Sequence, residues 1–259
     1  MAEETTQIII PPGILSPEIG RKVLISAVIL IIATSIITQA FVQLGGGPRN
    51  DDIDLTDQIT HSTGETHILE GLPPFISSGG VYQPEKTIFT VGLSLSGLLF
   101  IVLGIDFGTR THRLLSVAGA KPWRSMSNVA STAAAIGAGV SLMMIPQHPF
   151  DVSLVAHLFY AITIFYCSFF WVFFSHLARS GSEDDSLAWR GYRISTLRKY
   201  LLLGLFVSLI LTIYAPPAGY MLLGAFFEWM LLLTSMGGLL SNIPAFDEGR
   251  IIPANISDT

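Results

Sequence analysis

The sequence predicts an all-α membrane protein, a bundle of six transmembrane helices with both termini cytoplasmic. Three observations predict it. Six apolar runs alternate with polar connections, and most have the length of about 20 residues that a helix needs to cross a hydrocarbon core. Only 13% of the residues are charged and 50% are hydrophobic, against about 25% charged in a soluble domain. The 14 Lys and Arg residues are also unevenly placed. All except Arg49 and Lys86 fall on the termini and on the second and fourth connections, the bias that marks the cytoplasmic side.

Taken in order, residues 1–22 read as a cytoplasmic segment without a stable element, Pro-rich and ending in Arg21 and Lys22. The first span is predicted at 23–44; its apolar run is longer than the core of a cleaved signal peptide. Residues 45–86 form the long extracytoplasmic loop. Its first half is rich in turn formers and acids, and its second half mixes Pro and Gly with apolar residues, as a loop packed back on the membrane face would. The second span is predicted at 87–107, bracketed by Glu85 and Asp106. The third, at 127–146, is made largely of Ala, Gly and Ser. Small residues let helix backbones approach closely in lipid, so this helix belongs at the centre of the bundle. The fourth, at 152–176, is aromatic-rich and lipid-facing. The fifth, at 200–214, is short and stopped by Pro216 and Pro217; the sixth covers about 218–242. Residues 23–242 thus make one transmembrane domain, and 243–259 a short irregular cytoplasmic tail.

Several chemistries are excluded by what is missing. No basic stripe interleaved with aromatics suggests nucleic acid. The one cysteine, Cys167, lies in an apolar run and can form neither an intrachain disulfide nor a metal knuckle. His61 and His67 lack a metal-ligand spacing, so no metal and no cofactor is expected. No serine-hydrolase elbow, zincin motif, P-loop or dinucleotide fingerprint occurs. No Lys interrupts an apolar span, which rules out a retinal Schiff base. Asn255-Ile256-Ser257 matches a glycosylation acceptor, but this topology puts it on the cytoplasmic side.

The candidate site residues are the polar groups sent into the membrane. Glu228, followed by Trp229, sits near the middle of the sixth apolar run. A carboxylate there costs about 2.5–3.5 kcal/mol on insertion scales, so it faces the bundle interior with a partner. By residue count it lies roughly 15 Å below the outer end of its helix. His157 enters the fourth span from the same side, roughly 8 Å deep. Glu85 stands at the outer start of the second span, where the helix dipole favours an acid. Gln147, His148 and Asp151 occupy the outer turn between the third and fourth spans, Asp151 as a natural helix cap. Together they outline a polar cavity in the outer half of the bundle. Each has a plainer role as a packing hydrogen bond, a cap or a solvated turn residue.

Three stretches in register resemble the Frag1/DRAM/Sfk1 family of six-span membrane proteins. The first is SSGGVYQPEKTIFTVGLSLSGLL at 77–99, with Pro84 and Glu85 in the family's Pro-Glu positions. The second is the small-residue third helix followed by Gln147 and then His157. The third is Glu228-Trp229 in the last helix, with Phe246 and Asp247 at its exit. Ser78-Gly79-Gly80 departs from the family's usual Asp-x-Gly, and the acidic stretch 45–57 looks like an elaboration. The resemblance implies a lipid-related role. Its members include a factor for fatty-acid remodelling of GPI-anchored proteins, lysosomal modulators of autophagy and plasma-membrane regulators of a phosphoinositide kinase. It carries over Glu85, His157 and Glu228.

The functional expectation is therefore a membrane protein that binds, remodels or regulates lipid through this cavity. Membrane lipids are the partners. Lipid or ligand contacts are expected from Glu85, Gln147, His157, Glu228 and Trp229. Acyl chemistry would use His157 as general base with Glu228 as its orienting partner. One alternative is a non-catalytic scaffold that holds a protein through the cytoplasmic connections 108–126 and 177–199. Another is a proton- or ion-coupled transporter, although no internal repeat of the kind transporters use is evident.

Overall fold

The computed structural model describes residues 7–9, 11–50, 74–180, 188–189, 191–247 and 251–253. Six α-helices carry its architecture: α1 (Pro17–Leu44), α2 (Glu85–Val117), α3 (Pro122–Met144), α4 (Leu154–Arg179), α5 (Ile194–Tyr214) and α6 (Met221–Leu240). All six are long and apolar enough to cross a membrane. The protein is an integral multi-pass membrane protein built as an all-α bundle.

Helices α1 to α4 pack each on the next in sequence order, and α5 and α6 form a hairpin that leans on α4 and α1. Glycine sets the tightest of these contacts. A Cβ on Gly97 of α2 would meet the carbonyl of Gly139 on α3, and one on Gly139 would meet the carbonyl of Gly97. Gly104 lies in the same way against Ala135. Within its apolar window α3 is 50% buried, close to the 44% of α1, α2 and α6, and it packs between α2 and α4, whereas α4 and α5, at 28%, are the most exposed helices. Phe100 of α2 meets Trp171 of α4 edge-on, with centroids 5.4 Å apart, inside this core.

Three helix boundaries differ most from the sequence reading, each for a local reason. Helix α1 starts at Pro17 and not at residue 23. Ser16 accepts the Ile19 N–H as N-cap and Pro17 takes the first helical position, where its missing N–H costs nothing. Helix α2 runs on to Val117, past the expected end at 107, through an (i, i+4) ion pair of Asp106 with Arg110 at 2.7 Å. Helix α5 begins at Ile194, before the expected 200, and takes in Arg198 and Lys199. Arg198 is drawn inward because it caps α6, donating from Nη2 to the Ser241 carbonyl at 2.7 Å and from Nε to Ser241 Oγ at 2.9 Å. The ends of the chain, read as irregular, also carry short elements. Ile243–Phe246 is a 3₁₀ turn, and strand β1 (Gln7–Ile9) pairs antiparallel with a strand at Ile251–Pro253. That pairing brings both ends of the chain together at one end of the bundle.

Four of the arginines are more than topology signals. Arg110, Arg124, Arg179 and Arg198 are all buried. Arg124 donates to the carbonyls of Ala178 and Ser180 where α4 ends, and Arg179 donates to Thr111 Oγ1 at 3.2 Å.

Candidate functional site

Glu228 lies seven residues into α6 from Met221, roughly 10 Å from the N-terminal end of the helix. That is shallower than the expected depth because the helix begins at Met221 and not at 218. The carboxylate is buried, and Oε2 accepts the main-chain N–H of Ile76 at 2.7 Å. Ile76 opens a 3₁₀ turn, Ile76–Gly80, at the end of the connection between α1 and α2. The loop thus re-enters the bundle as a plug, residues 74–80, at the depth of Glu228. Residues 51–73, which include His61 and His67, lie outside the described residues.

Non-helical backbone is tolerated at membrane depth only where protein satisfies its polar groups. Three side chains do so here, all by contacts to the main chain. Glu228 takes the Ile76 N–H. Trp229 Nε1 donates to the Pro74 carbonyl at 2.9 Å. From α1, the Gln39 amide donates to the carbonyls of Phe75 and Ile76, both at 2.9 Å. Ser78 Oγ stands 3.2 Å from Gln39 Oε1 and 2.8 Å from the Phe75 carbonyl. The plug is small where it touches α1 and α2. Gly79 lies against Thr38 and Gly80 against Phe89, with no room for a Cβ on Gly79. The plug therefore braces α1 to α6, two helices that otherwise touch only lightly.

Beneath the plug is a cavity of about 70 Å³. Ile76, Ser77 and Glu228 form its outer wall; Ile31, Phe89, Leu93, Phe100, Leu142, Phe165, Leu231, Leu232 and Met236 make most of the rest. Its walls come from α1, α2, α3, α4 and α6, where the α5–α6 hairpin meets the other helices. Ser35, Ser168 and Ser235 add hydroxyls below Glu228. Ser35 is satisfied by the Ile31 carbonyl at 2.9 Å, whereas the buried Ser235 hydroxyl has no hydrogen-bond partner. The site is an apolar chamber with one carboxylate at its outer edge.

The structure joins some of the sequence candidates and separates others. Glu228 and Trp229 act together on the plug. His157 is buried in the first turn of α4, closer to the outer end than expected because α4 begins at Leu154. Its Nδ1 sits 2.8 Å from the His148 carbonyl, and Phe150 meets its ring edge-on. His157 contributes nothing to the cavity wall and makes no hydrogen bond to Glu228. Gln147 ends the 3₁₀ turn Ile145–Gln147, and His148 stacks on Tyr160 in the same outer turn. Glu85 is fully buried as the first residue of α2. Among the described residues no group of three His, Cys, Asp or Glu is placed to hold a metal ion.

Sequence reasoning passed over Gln39 and the main chain of residues 74–80. An amide inside an otherwise apolar span was the available signal for Gln39. It also treated Asp106 as a helix-end acid. Asp106 Oδ1 accepts the main-chain N–H groups of Ile14 and Leu15, at 2.7 and 2.8 Å, and so docks the N-terminal segment on α2.

A model of the Frag1/DRAM/Sfk1/Cwh43P N-terminal domain matches residues 23–247. No curated protein and no solved structure matches the chain significantly. The matched range runs from the first turns of α1 to the residue after the 3₁₀ turn that follows α6, and so includes the plug, the cavity and all the candidate residues. The chain belongs to the Frag1/DRAM/Sfk1 family.

Proposed function

We propose that the protein binds a membrane lipid in the cavity below the plug, and that its cellular role is to handle or regulate that lipid. One observation carries the reading: a chamber with mainly apolar walls lies within a spanning bundle and has a carboxylate at its outer edge. That polarity matches an amphiphile whose chain lies among the helices and whose polar part is near Glu228 and Ser77. Small-molecule sites have this composition, with mostly apolar walls and few polar groups that set orientation. Binding of this kind does not call on His157, which faces the α3–α4 turn.

The test is to purify the protein in a mild detergent, extract it and measure the lipid it retains. The wild type is expected to keep stoichiometric lipid enriched in one class, and Glu228→Ala to lose most of it. Glu228→Gln, which keeps an acceptor for Ile76, is expected to lie between them. Retained lipid that mirrors the bulk membrane and is unchanged by Glu228→Ala would overturn the reading.

A second reading is a regulator that holds a protein partner through the inner connections 108–126 and 177–199. The observation in its favour is that Glu228, Gln39 and Trp229 are all engaged in fastening the plug, as a passive scaffold requires. In that case replacing the 177–199 connection abolishes partner capture while Glu228→Gln is tolerated.

A further inference from the structure

We infer that the bundle opens along the seam between α1 and α6, the α5–α6 hairpin swinging on α4, and that the plug and the two chain ends are locks at either end of that seam. This rests on the lipid-binding reading above. Small-molecule sites run to about 300–1,000 Å³, so the cavity, at about 70 Å³, is the closed state of such a site. The hairpin is fastened differently on its two sides. Toward α4, Leu205 and Leu209 of α5 and Leu231 of α6 pack with Val172 and Phe165 of α4 in one apolar cluster. A Cβ on Gly238 of α6 would stand 2.9 Å from Val172. This continuous packing is the hinge. Toward α1 the contact is light, since α1 packs chiefly on α2. Ile31 and Ser35 of α1 and Leu232 and Ser235 of α6 line the cavity behind that seam.

Two clasps close the α1 side. The plug ties Gln39 of α1 to Glu228 and Trp229 of α6 through the main chain of residues 74–76. At the end of the bundle that carries both chain ends, the segment after α6 folds back on α1. Phe246 is fully buried there. It leaves no room for a Cβ on Gly20 of α1, and its ring centre lies 5.0 Å from that of Phe107 and 4.8 Å from the Arg110 guanidinium. Asp247 accepts from Arg21, and β1 pairs with the strand at Ile251–Pro253. Gly20 and Gln39 are 19 residues apart on one helix, roughly 29 Å, which matches a hydrocarbon core of about 30 Å. The locks therefore stand near the two membrane faces, with only light contact between them. The Arg21 and Asp247 side chains are 43% and 32% exposed, so the terminal lock is reached from solvent. A swing about a packed hinge, released at the opposite edge, is an ordinary mode of opening.

The experiment uses the full chain in a Cys167→Ser background and has two arms. In lipid nanodiscs, spin labels at Ile29 of α1 and Leu233 of α6 report the seam, and labels at Phe170 of α4 and Leu233 report the hinge; all three positions are exposed. Phe246→Ala releases the terminal clasp and lies away from the cavity wall. It is expected to add a population in which the Ile29–Leu233 distance is longer by several ångströms, while Phe170–Leu233 changes less. In the second arm, Arg21→Cys and Asp247→Cys are joined by a reducible bis-maleimide. The protein is stripped of lipid in detergent and offered mixed micelles of a total membrane-lipid extract. The linked form is expected to take up lipid at least tenfold more slowly, and reductant to restore the rate. This arm decides the matter where Phe246→Ala does not fold. Uptake that the link does not slow, unchanged Ile29–Leu233 distances in folded Phe246→Ala, or a larger shift at the hinge than at the seam would each overturn the inference. With Glu228-dependent lipid retention intact, any of these results removes the gate and leaves lipid binding standing. No uptake by the linked or the unlinked form would remove both.

Discussion

The Glu228 carboxylate in α6 accepts the main-chain N–H of Ile76 at 2.7 Å. An acid that is expensive within a membrane is therefore matched to an amide that would be expensive there too. The same arrangement recurs at the opposite end of the bundle. Asp106, ion-paired with Arg110, accepts the N–H groups of Ile14 and Leu15. In both places a buried ionisable side chain within a long helix holds irregular backbone by accepting its main-chain N–H groups. The polar residues that stand out in the apolar runs act first as anchors for non-helical chain.

The plug should behave as a coupled unit. Gln39→Leu and Trp229→Phe remove donors, leaving the carbonyls of Ile76 and Pro74 respectively unpaired. Each is expected to cost about 1–3 kcal/mol. The double variant should depart from additivity by about 0.5–3 kcal/mol, because both act on one segment. Denaturant unfolding of the four proteins in detergent measures this.

The Asp106–Arg110 pair is 1% exposed on both sides. Asp106→Ala removes the buried counter-charge of Arg110 and the acceptor of two amide N–H groups and is expected to cost about 3–5 kcal/mol. Asp106→Asn keeps an acceptor oxygen and should cost less. Proteolysis of the segment ahead of Pro17 should accelerate in Asp106→Ala, because the bonds from the Ile14 and Leu15 N–H groups to Asp106 are lost.

Crowding should be intolerable where α2 meets α3. Gly139→Leu drives a side chain into Gly97 and Ile101 and is expected to destabilise by about 1–3 kcal/mol or more. Ala133→Leu, on the exposed face of the same helix, should leave the unfolding midpoint unchanged.

Ser235 offers a change in the opposite direction. Its buried hydroxyl has no partner, so Ser235→Ala should be neutral or mildly stabilising. Ser35→Ala, which loses a bond to Ile31, should not stabilise. Paired thermal melts compare them.

The spans were legible because apolar runs of this length have few other uses. The helix ends were less so, since polarity was taken for loop. Ile194–Lys199 is polar because Arg198 caps a neighbouring helix, and a cap between helices leaves no trace in local pattern. Glu228 was legible as a costly acid, and Glu228-Trp229 as a family mark. Its partner was not, because the partner is main chain and sequence pattern records side chains. Gln39 was missed for the same reason. His157 and Glu228 looked like neighbours because both fall in the outer half of the bundle. Depth along a helix does not specify direction around it, and His157 turns toward His148 and Phe150.

Hydrogen–deuterium exchange of the amides in residues 75–80 tests the role of Glu228 most directly. In lipid nanodiscs these amides should be protected in the wild type, and exchange should rise about ten- to hundredfold in Glu228→Ala, as the loss of about 1–3 kcal/mol of anchoring implies. Glu228→Gln should fall between. Protection of this segment that is the same in all three proteins would contradict the account.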